Sequence, residues 1–409
     1  MHNSSSTKRD VAIALAVTVV LLLGSILLGV LSGEATGYDF GTLYSAGWMV
    51  RHGMGATLYD LREQARTQEI LLGRGSANVY YLQPPFEALI LSLLAGFSYV
   101  TAYLIWGVIN IGLWIYFIFL IRPFTPRPEQ TFGYYSVCFS FFPLWVTLDL
   151  GQTSILLLVL YSLVFKNLKR NRDARAGLFL GMGLFRFQLV LPFALIFLLW
   201  RKWKFLGGFI GAALSCAALS AATVGPKGVA SYVYFMLDIA KNPAHAAYVP
   251  ITPWAMPNLR GLFDVLLSPR WINPALAICS MFIILSVSFW WRKEEHHTTS
   301  PGVELAFSSA VVTSVIIGFH VHSYDLSLIL LPVLLVIGAI KEMDRWLLML
   351  SVAIHVYPFA VYLLVTAYGG PYLLLYPLLV PLLMLFVVKT AFIAREAPRS
   401  ASHVSPVFG

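Results

Sequence analysis

Charged side chains are scarce in this sequence: Asp, Glu, Lys and Arg make up 11% of its 409 residues, against roughly a quarter in an ordinary soluble protein. That shortage excludes a soluble globular domain. With 58% hydrophobic residues and a mean hydropathy of +0.76, the chain has far more apolar surface than so few charges could cover. Cysteine is scarcer still: Cys138, Cys216 and Cys279 each lie within an apolar run, which excludes a disulfide scaffold and argues against a zinc site. No glycine-rich loop follows a strand and no Walker sequence occurs, so nothing here handles a nucleotide. Gly177, Gly181 and Gly183 sit in an apolar stretch, where small residues allow close helix packing. There is no fixed-period repeat, and residues 1–409 read as a single domain.

What the chain has instead is a series of apolar runs of about bilayer-crossing length, separated by short basic loops. It reads as an all-α polytopic membrane protein. The formal net charge of +9 falls in those loops, so it is a topology signal rather than a nucleic-acid footprint. The 14% aromatic content fits side chains at two lipid interfaces. Lys8 and Arg9 precede a first apolar run, Val11 to Gly33, with no small-residue cleavage pattern; it reads as a spanning helix with a cytoplasmic amino terminus.

Further basic clusters follow at Arg122 and Arg127, Lys166 to Arg175, Arg201 to Lys204, Arg292 and Lys293, Lys341 to Arg345, and Lys389 to Arg399. Placing all of them inside leaves two long loops, 34–85 and 225–271, facing outward, and a cytoplasmic carboxyl terminus. The crossings that satisfy this map are 11–33, 100–121, 131–148, 153–166, 205–224, 272–291, 305–319, 326–340, 346–367 and 371–389. Residues 176–200 have basic clusters at both ends, which calls for a hairpin of two short helices turning near Arg186 and Gln188. Residues 86–99 read as a partial or re-entrant helix, giving about twelve crossings in all. In the first long loop, apolar spacing predicts two surface helices, Gly41 to His52 and Tyr59 to Leu72.

Ionisable groups near spanning segments cost several kcal/mol unless they face water or a partner, and this topology sends them to one outward-facing polar cavity. Asp39 lies just beyond the first helix, and Asp149 and Gln152 sit in an outer turn. Arg186 and Gln188 lie at the hairpin turn, and His320, His322, Tyr324 and Asp325 share another outer turn. Each has a plainer alternative. Asp39 is either a helix cap or a catalytic acid at the membrane boundary. Asp149 is more simply an inter-helix hydrogen-bonding residue or cap. Arg186 either snorkels or meets an anion. The histidines are either interfacial or part of a site, and Asp325 is a second candidate cap. Glu87, just after Pro84-Pro85, reads as an early-turn helix acid. The run His-Val-His-Ser-Tyr-Asp carries metal-type ligands, but at alternate positions on a turn, so no metal is assigned. A transporter or lipid flippase would also use an outward polar site, although the chain lacks the paired repeats that many transporters have.

Several short stretches resemble one family. They are Tyr38-Asp39-Phe40 with Tyr44 and Ala46; Leu58-Tyr59-Asp60; Tyr80-Tyr81-Leu82-Gln83-Pro84-Pro85-Phe86; Trp106 and Asn110; Gly151-Gln152; Ala176-Gly177 leading to Arg186; and the turn from His322 to Asp325. Together they resemble the GT-C class of integral-membrane glycosyltransferases, and within it glycosyltransferase family 87, which includes polyprenyl-phosphate-mannose-dependent mannosyltransferases. The block from Asp39 through Pro85 is the most specific part. One departure stands out: this chain has Arg186-Phe187-Gln188, with Pro192 later, where the family often has Lys followed by Pro.

The resemblance implies a GT-C-like bundle with a helical first external loop, and a transferase that needs no cofactor. Its partners would be a polyprenyl-phosphate sugar donor, a lipid or glycan acceptor and membrane lipids, with no nucleic acid. Asp39 is then the general base, and Arg186, His322 and His320 lie at the donor phosphate. Asp149, Gln152, Gln188, Tyr324 and Asp325 form the supporting polar site, and the second long loop, through Trp254 and Asn258, meets the acceptor.

Overall fold

The chain's computed structural model describes residues 20, 24, 38–73, 79–125, 131–241, 252–291, 302–339 and 345–396. The expected first crossing, 11–33, lies outside the described residues but for those two isolated positions, and so do both chain ends. Among the described residues the regular structure is helical throughout: α1 (Tyr38–Arg51), α2 (Leu61–Leu72), α3 (Pro85–Leu91), α4 (Tyr99–Ile121), α5 (Thr131–Ser140), α6 (Phe142–Leu150), α7 (Ser154–Leu168), α8 (Asp173–Met182), α9 (Phe187–Leu199), α10 (Trp203–Lys241), α11 (Leu259–Leu266), α12 (Pro269–Trp291), α13 (Gly302–Ile317), α14 (Leu330–Ala339), α15 (Arg345–Tyr368) and α16 (Leu379–Glu396).

Among the described residues, six stretches are long and apolar enough to cross a membrane: Tyr99–Phe124, Asp173–Leu199, Trp203–Asp238, Pro269–Trp291, Arg345–Tyr368 and Gly370–Ile393. Three shorter apolar helices, Ser154–Leu168, Gly302–Ile317 and Ser323–Ala339, pack among them. The protein is membrane-embedded, and its large exposed side chains, such as Phe282, Phe289, Trp346 and Val108, face where lipid would be. Buried aromatic contacts fill the interior; Phe193 meets Tyr161, Phe197 and Phe307 at centroid distances of 5.0, 4.9 and 5.4 Å.

Local sequence explains most of the boundaries. Asp60 caps α2 by accepting from the backbone N–H groups of Arg62 and Glu63. Pro85 opens α3, where a missing N–H costs nothing, and Ser98 caps α4. Residues 86–99 form the short α3 and a 3₁₀ turn, Leu94–Gly96, in keeping with a partial helix. The crossing expected over 131–148 is instead broken into α5 and α6, because Phe141 is extended and Pro143 follows at the start of the second helix. The second long loop is also more helical than expected: α10 runs on to Lys241, kinked at Gly225, whose φ of 67° suits glycine, ahead of Pro226.

The hairpin over 176–200 is present as α8 and α9, joined by the 3₁₀ turn Gly183–Arg186. Its direction follows from what each half touches. Gly177 of α8 lies on Phe205 and Phe209 of α10, and Gly181, one turn further along α8, lies on Phe209 and Ala212, further along α10. Both α8 and the start of α10 therefore run the same way side by side, and α9 between them must carry the chain back. Although Asp173–Leu199 has the length and apolarity for one crossing, its path doubles back at Arg186. Ser154, at the start of α7, and Arg186 consequently share one end of the bundle, while Lys169 to Arg175 share the other.

Candidate functional site

The residues that matter meet at the end of the bundle where α7 begins and the hairpin turns. Gln152 is placed there by a left-handed Gly151 (φ 67°) that ends α6; a Cβ at that position would fall against Phe40. Two side chains of α4 fix this turn from behind: Tyr103 donates to the carbonyl of Asp149 at 2.6 Å, and Trp106 Nε1 donates to the carbonyl of Gly151 at 2.8 Å. Asp39 stands in the first turn of α1. The extended segment from Val79 to Gln83 is laced to α1 and α2. Thr42 and Gln68 donate to the carbonyl of Val79, and Gln64 accepts from the Tyr81 N–H at 2.7 Å. Tyr59 donates to the carbonyl of Gln83 at 2.7 Å. Buried amides thus give an irregular segment the backbone partners it would otherwise lack.

These elements enclose a cavity of about 340 Å³ lined by Asp39, Gln152, Arg186, Gln188, His320, His322 and Tyr324, all singled out from sequence. Its remaining walls include Thr42, Leu43, Tyr80, Gln83, Phe185, Phe319 and Met236.

At its centre is one hydrogen-bonded chain. Gln152 Nε2 donates to Asp39 Oδ2 at 2.7 Å, and Arg186 Nη2 donates to Gln152 Oε1. A guanidinium can only donate, so the amide must turn its oxygen to Arg186 and its nitrogen to Asp39. Arg186 is buried, its Nε lies 3.9 Å from Asp325 Oδ1, and its guanidinium sits 5.3 Å from the centre of the Tyr324 ring. Asp325 in turn accepts from Ser154 Oγ at 2.9 Å and from the His322 N–H at 3.0 Å. It is thus both the counter-ion of the arginine and the clamp on the histidine turn.

The two imidazoles face each other, Nε2 to Nε2, at 2.9 Å. One proton lies between them, so one ring donates, the other accepts, and the acceptor carries its own hydrogen on Nδ1. Burial lowers the pKa of His322, against the opposing pull of Asp325 and Asp39, and lowers that of His320 well below the ordinary value. Both rings are therefore neutral at neutral pH. The cation of the cavity is thus Arg186, and the histidines offer hydrogen bonds. Burial also raises the Asp39 carboxyl above its ordinary 3.8, opposed by the hydrogen bond from Gln152 and by the nearby Arg186 guanidinium.

Four expected residues do not line this wall; one of them, Asp325, stands behind it as the partner of Arg186. Asp149 is exposed at the end of α6, outside the cavity lining. Asn258 is wholly buried and committed to structure: its Nδ2 donates to the Gly318 carbonyl at 2.6 Å and its Oδ1 accepts from Gly261, capping α11. Trp254 lies in the adjoining 3₁₀ turn Pro253–Ala255, also outside the lining. The same loop does bring a residue that sequence reasoning passed over. Arg260 packs its guanidinium 4.1 Å from the centre of the cavity-lining Phe319 ring, with Nη1 buried and unpartnered. Its position next to the Asn258 cap was the available signal. Glu87 is buried behind the site and accepts from Tyr81 Oη at 3.3 Å. Among the described residues no three His, Cys, Asp or Glu side chains converge as metal ligands.

Fold and site define a membrane-embedded helical protein with an acid and a cation joined across one polar cavity. The sequence model of Glycosyltransferase family 87 matches residues 81–318, more than half of the chain, and the chain belongs to that family. The match takes in Gln152 and Arg186, while Asp39 and the turn from His320 to Asp325 lie outside it. No curated protein and no solved structure matches the chain.

Proposed function

We propose that this glycosyltransferase moves a sugar, best read as mannose, from a polyprenyl-phosphate donor to a lipid or glycan acceptor on the extracytoplasmic face. The observation that carries the reading is the chain from Asp39 through Gln152 to Arg186 along the cavity wall. Group transfer from a lipid phosphate needs an acid–base group at one end and positive charge at the other, and the amide of Gln152 spaces the two. The carboxylate of Asp39 takes the acceptor hydroxyl proton as that oxygen attacks the anomeric carbon. The bond from that carbon to the phosphate oxygen breaks, its electron pair staying on the departing lipid phosphate. Arg186 faces that phosphate with the fork geometry that suits its oxygens, and the neutral His320–His322 pair donates one hydrogen bond. This is a single displacement with inversion.

A donor carried on a lipid suits a cavity set among apolar helices, since such a donor arrives sideways from the bilayer. The extracytoplasmic placement is supported by the charge pattern, with the basic turn from Lys169 to Arg175 at the end of the bundle away from the cavity; both termini would be cytoplasmic. The test is transfer by the purified protein from radiolabelled polyprenyl-phosphate mannose to membrane-lipid acceptors. Labelled product that depends on Asp39 supports the reading, and undiminished product from Asp39→Asn removes Asp39 from the mechanism.

A further inference from the structure

At the end of the bundle opposite the cavity, α7 and α8 meet in a tight turn, in which the Arg172 N–H donates to the carbonyl of Asn167 at 2.9 Å and Asn171 takes a φ of 53°. Between the two helices lies a second cavity of about 340 Å³, lined by Leu163, Lys166, Asn167, Arg170, Arg175, Leu178 and Phe179.

Its lining has an order. Lys166, Arg170 and Arg175 flank the turn. Leu163, one helical turn before Lys166, and Leu178 and Phe179, one turn after Arg175, lie further toward the middle of the bundle. The groove is therefore cationic at its outer end and apolar at its inner end. Leu178 is 44% exposed, a large apolar side chain left open beside the cations. One acid at this end, Glu304, is engaged with Lys169 at 2.7 Å. Among the described residues, no carboxylate is in ion-pair contact with Lys166, Arg170 or Arg175. Asp173 is the one acid in the turn itself.

A plain topology signal needs positive charge in a loop; it does not need a concave groove whose polarity changes along its length. We propose that this groove binds an anionic phospholipid, with its phosphate at Lys166, Arg170 and Arg175 and its acyl chains along Leu163, Leu178 and Phe179. Basic pockets between membrane helices hold lipid head groups in this way. The site lies about 20 Å from Ser154, the length of α7 at 1.5 Å per residue. It therefore stands apart from the transfer cavity and does not depend on the donor reading.

The experiment uses the full chain in neutral detergent, titrated with phosphatidylglycerol, with phosphatidylcholine and with inorganic phosphate, binding being read by native mass spectrometry. Phosphatidylglycerol is expected to bind in preference to phosphatidylcholine, and to bind about fivefold more weakly for each cation removed in Arg170→Gln and Arg175→Gln. Both positions are exposed, so the variants should fold. Lys204→Gln, an exposed cation at the same end but outside the groove, is expected to leave binding unchanged. The proposal is overturned by any of three results: equal affinity for the two lipids, equal loss in Lys204→Gln, or inorganic phosphate binding as tightly as the lipid.

Discussion

Asp39 and Arg186 do not touch, yet a single amide joins them: Gln152 gives a hydrogen to the acid and takes one from the cation. The protonation of one end is therefore coupled to the position of the other, and the following expectations start from that link.

Asp39 should trade activity against stability. Burial raises its pKa, so the folded protein binds this proton more readily than the unfolded chain does. The stability tied to this proton is fully present below the ordinary 3.8 and is lost as pH rises from there through the raised pKa, so Asp39→Asn should be at least as stable as the parent at neutral pH. Transfer should nevertheless fall by about 10²- to 10⁴-fold, the usual contribution of a general base. Thermal unfolding and labelled-sugar transfer on the same preparation check both halves.

The rate should have an acid limb that lies above the ordinary aspartate value of 3.8. The base works only as the carboxylate, so transfer is lost as pH falls through the raised pKa and is level above it. Gln152→Glu places a second carboxyl beside the first, which makes proton loss harder and should move the limb to higher pH. A limb at the same pH in parent and variant would separate Gln152 from the acid.

Gln152→Leu tests the link itself. It leaves a buried Arg186 donor and an Asp39 oxygen without partners, at about 1–3 kcal/mol for each group left unsatisfied. The melting temperature and the turnover rate should both drop, whereas Gln152→Asn, with a shorter amide, should recover stability more than rate.

Arg186 has two duties that different substitutions separate. Arg186→Gln strands the buried Asp325 and should destabilise by about 3–5 kcal/mol, as breaking a buried ion pair does. Arg186→Lys keeps the charge and should fold, yet lose roughly 2–4 kcal/mol of transition-state stabilisation because the fork is gone. Normal turnover in the lysine variant would reduce the arginine to a packing role.

The hairpin depends on small residues. A Cβ at Gly177 would run into the backbone of Phe205, and one at Gly208 into the backbone of Ala174. Alanine at either position should separate α8 from α10 and cost about 1–3 kcal/mol, as overpacking does, measured by thermal unfolding in detergent. Because α8 leads straight to Arg186, transfer should suffer with it.

By itself, the sequence determined that this protein lives in a membrane, that the chain must turn back at Arg186, and that Asp39, Gln152, Arg186 and the His320–Asp325 turn belong together. In a chain with so few charges, each ionisable group placed at depth needs a partner or water, and that need is visible residue by residue. Short-range chemistry was legible too: Asp60, Ser98 and Pro85 mark helix starts because their effects act within one turn. Only the tertiary structure decided that Asp149 stands outside the cavity, that Asn258 is spent as a cap, that Arg260 packs beside the cavity wall, and that the histidines are neutral. Which donor meets which acceptor, and how deeply a group is buried, depend on helices far apart in the chain, and no local pattern encodes their approach.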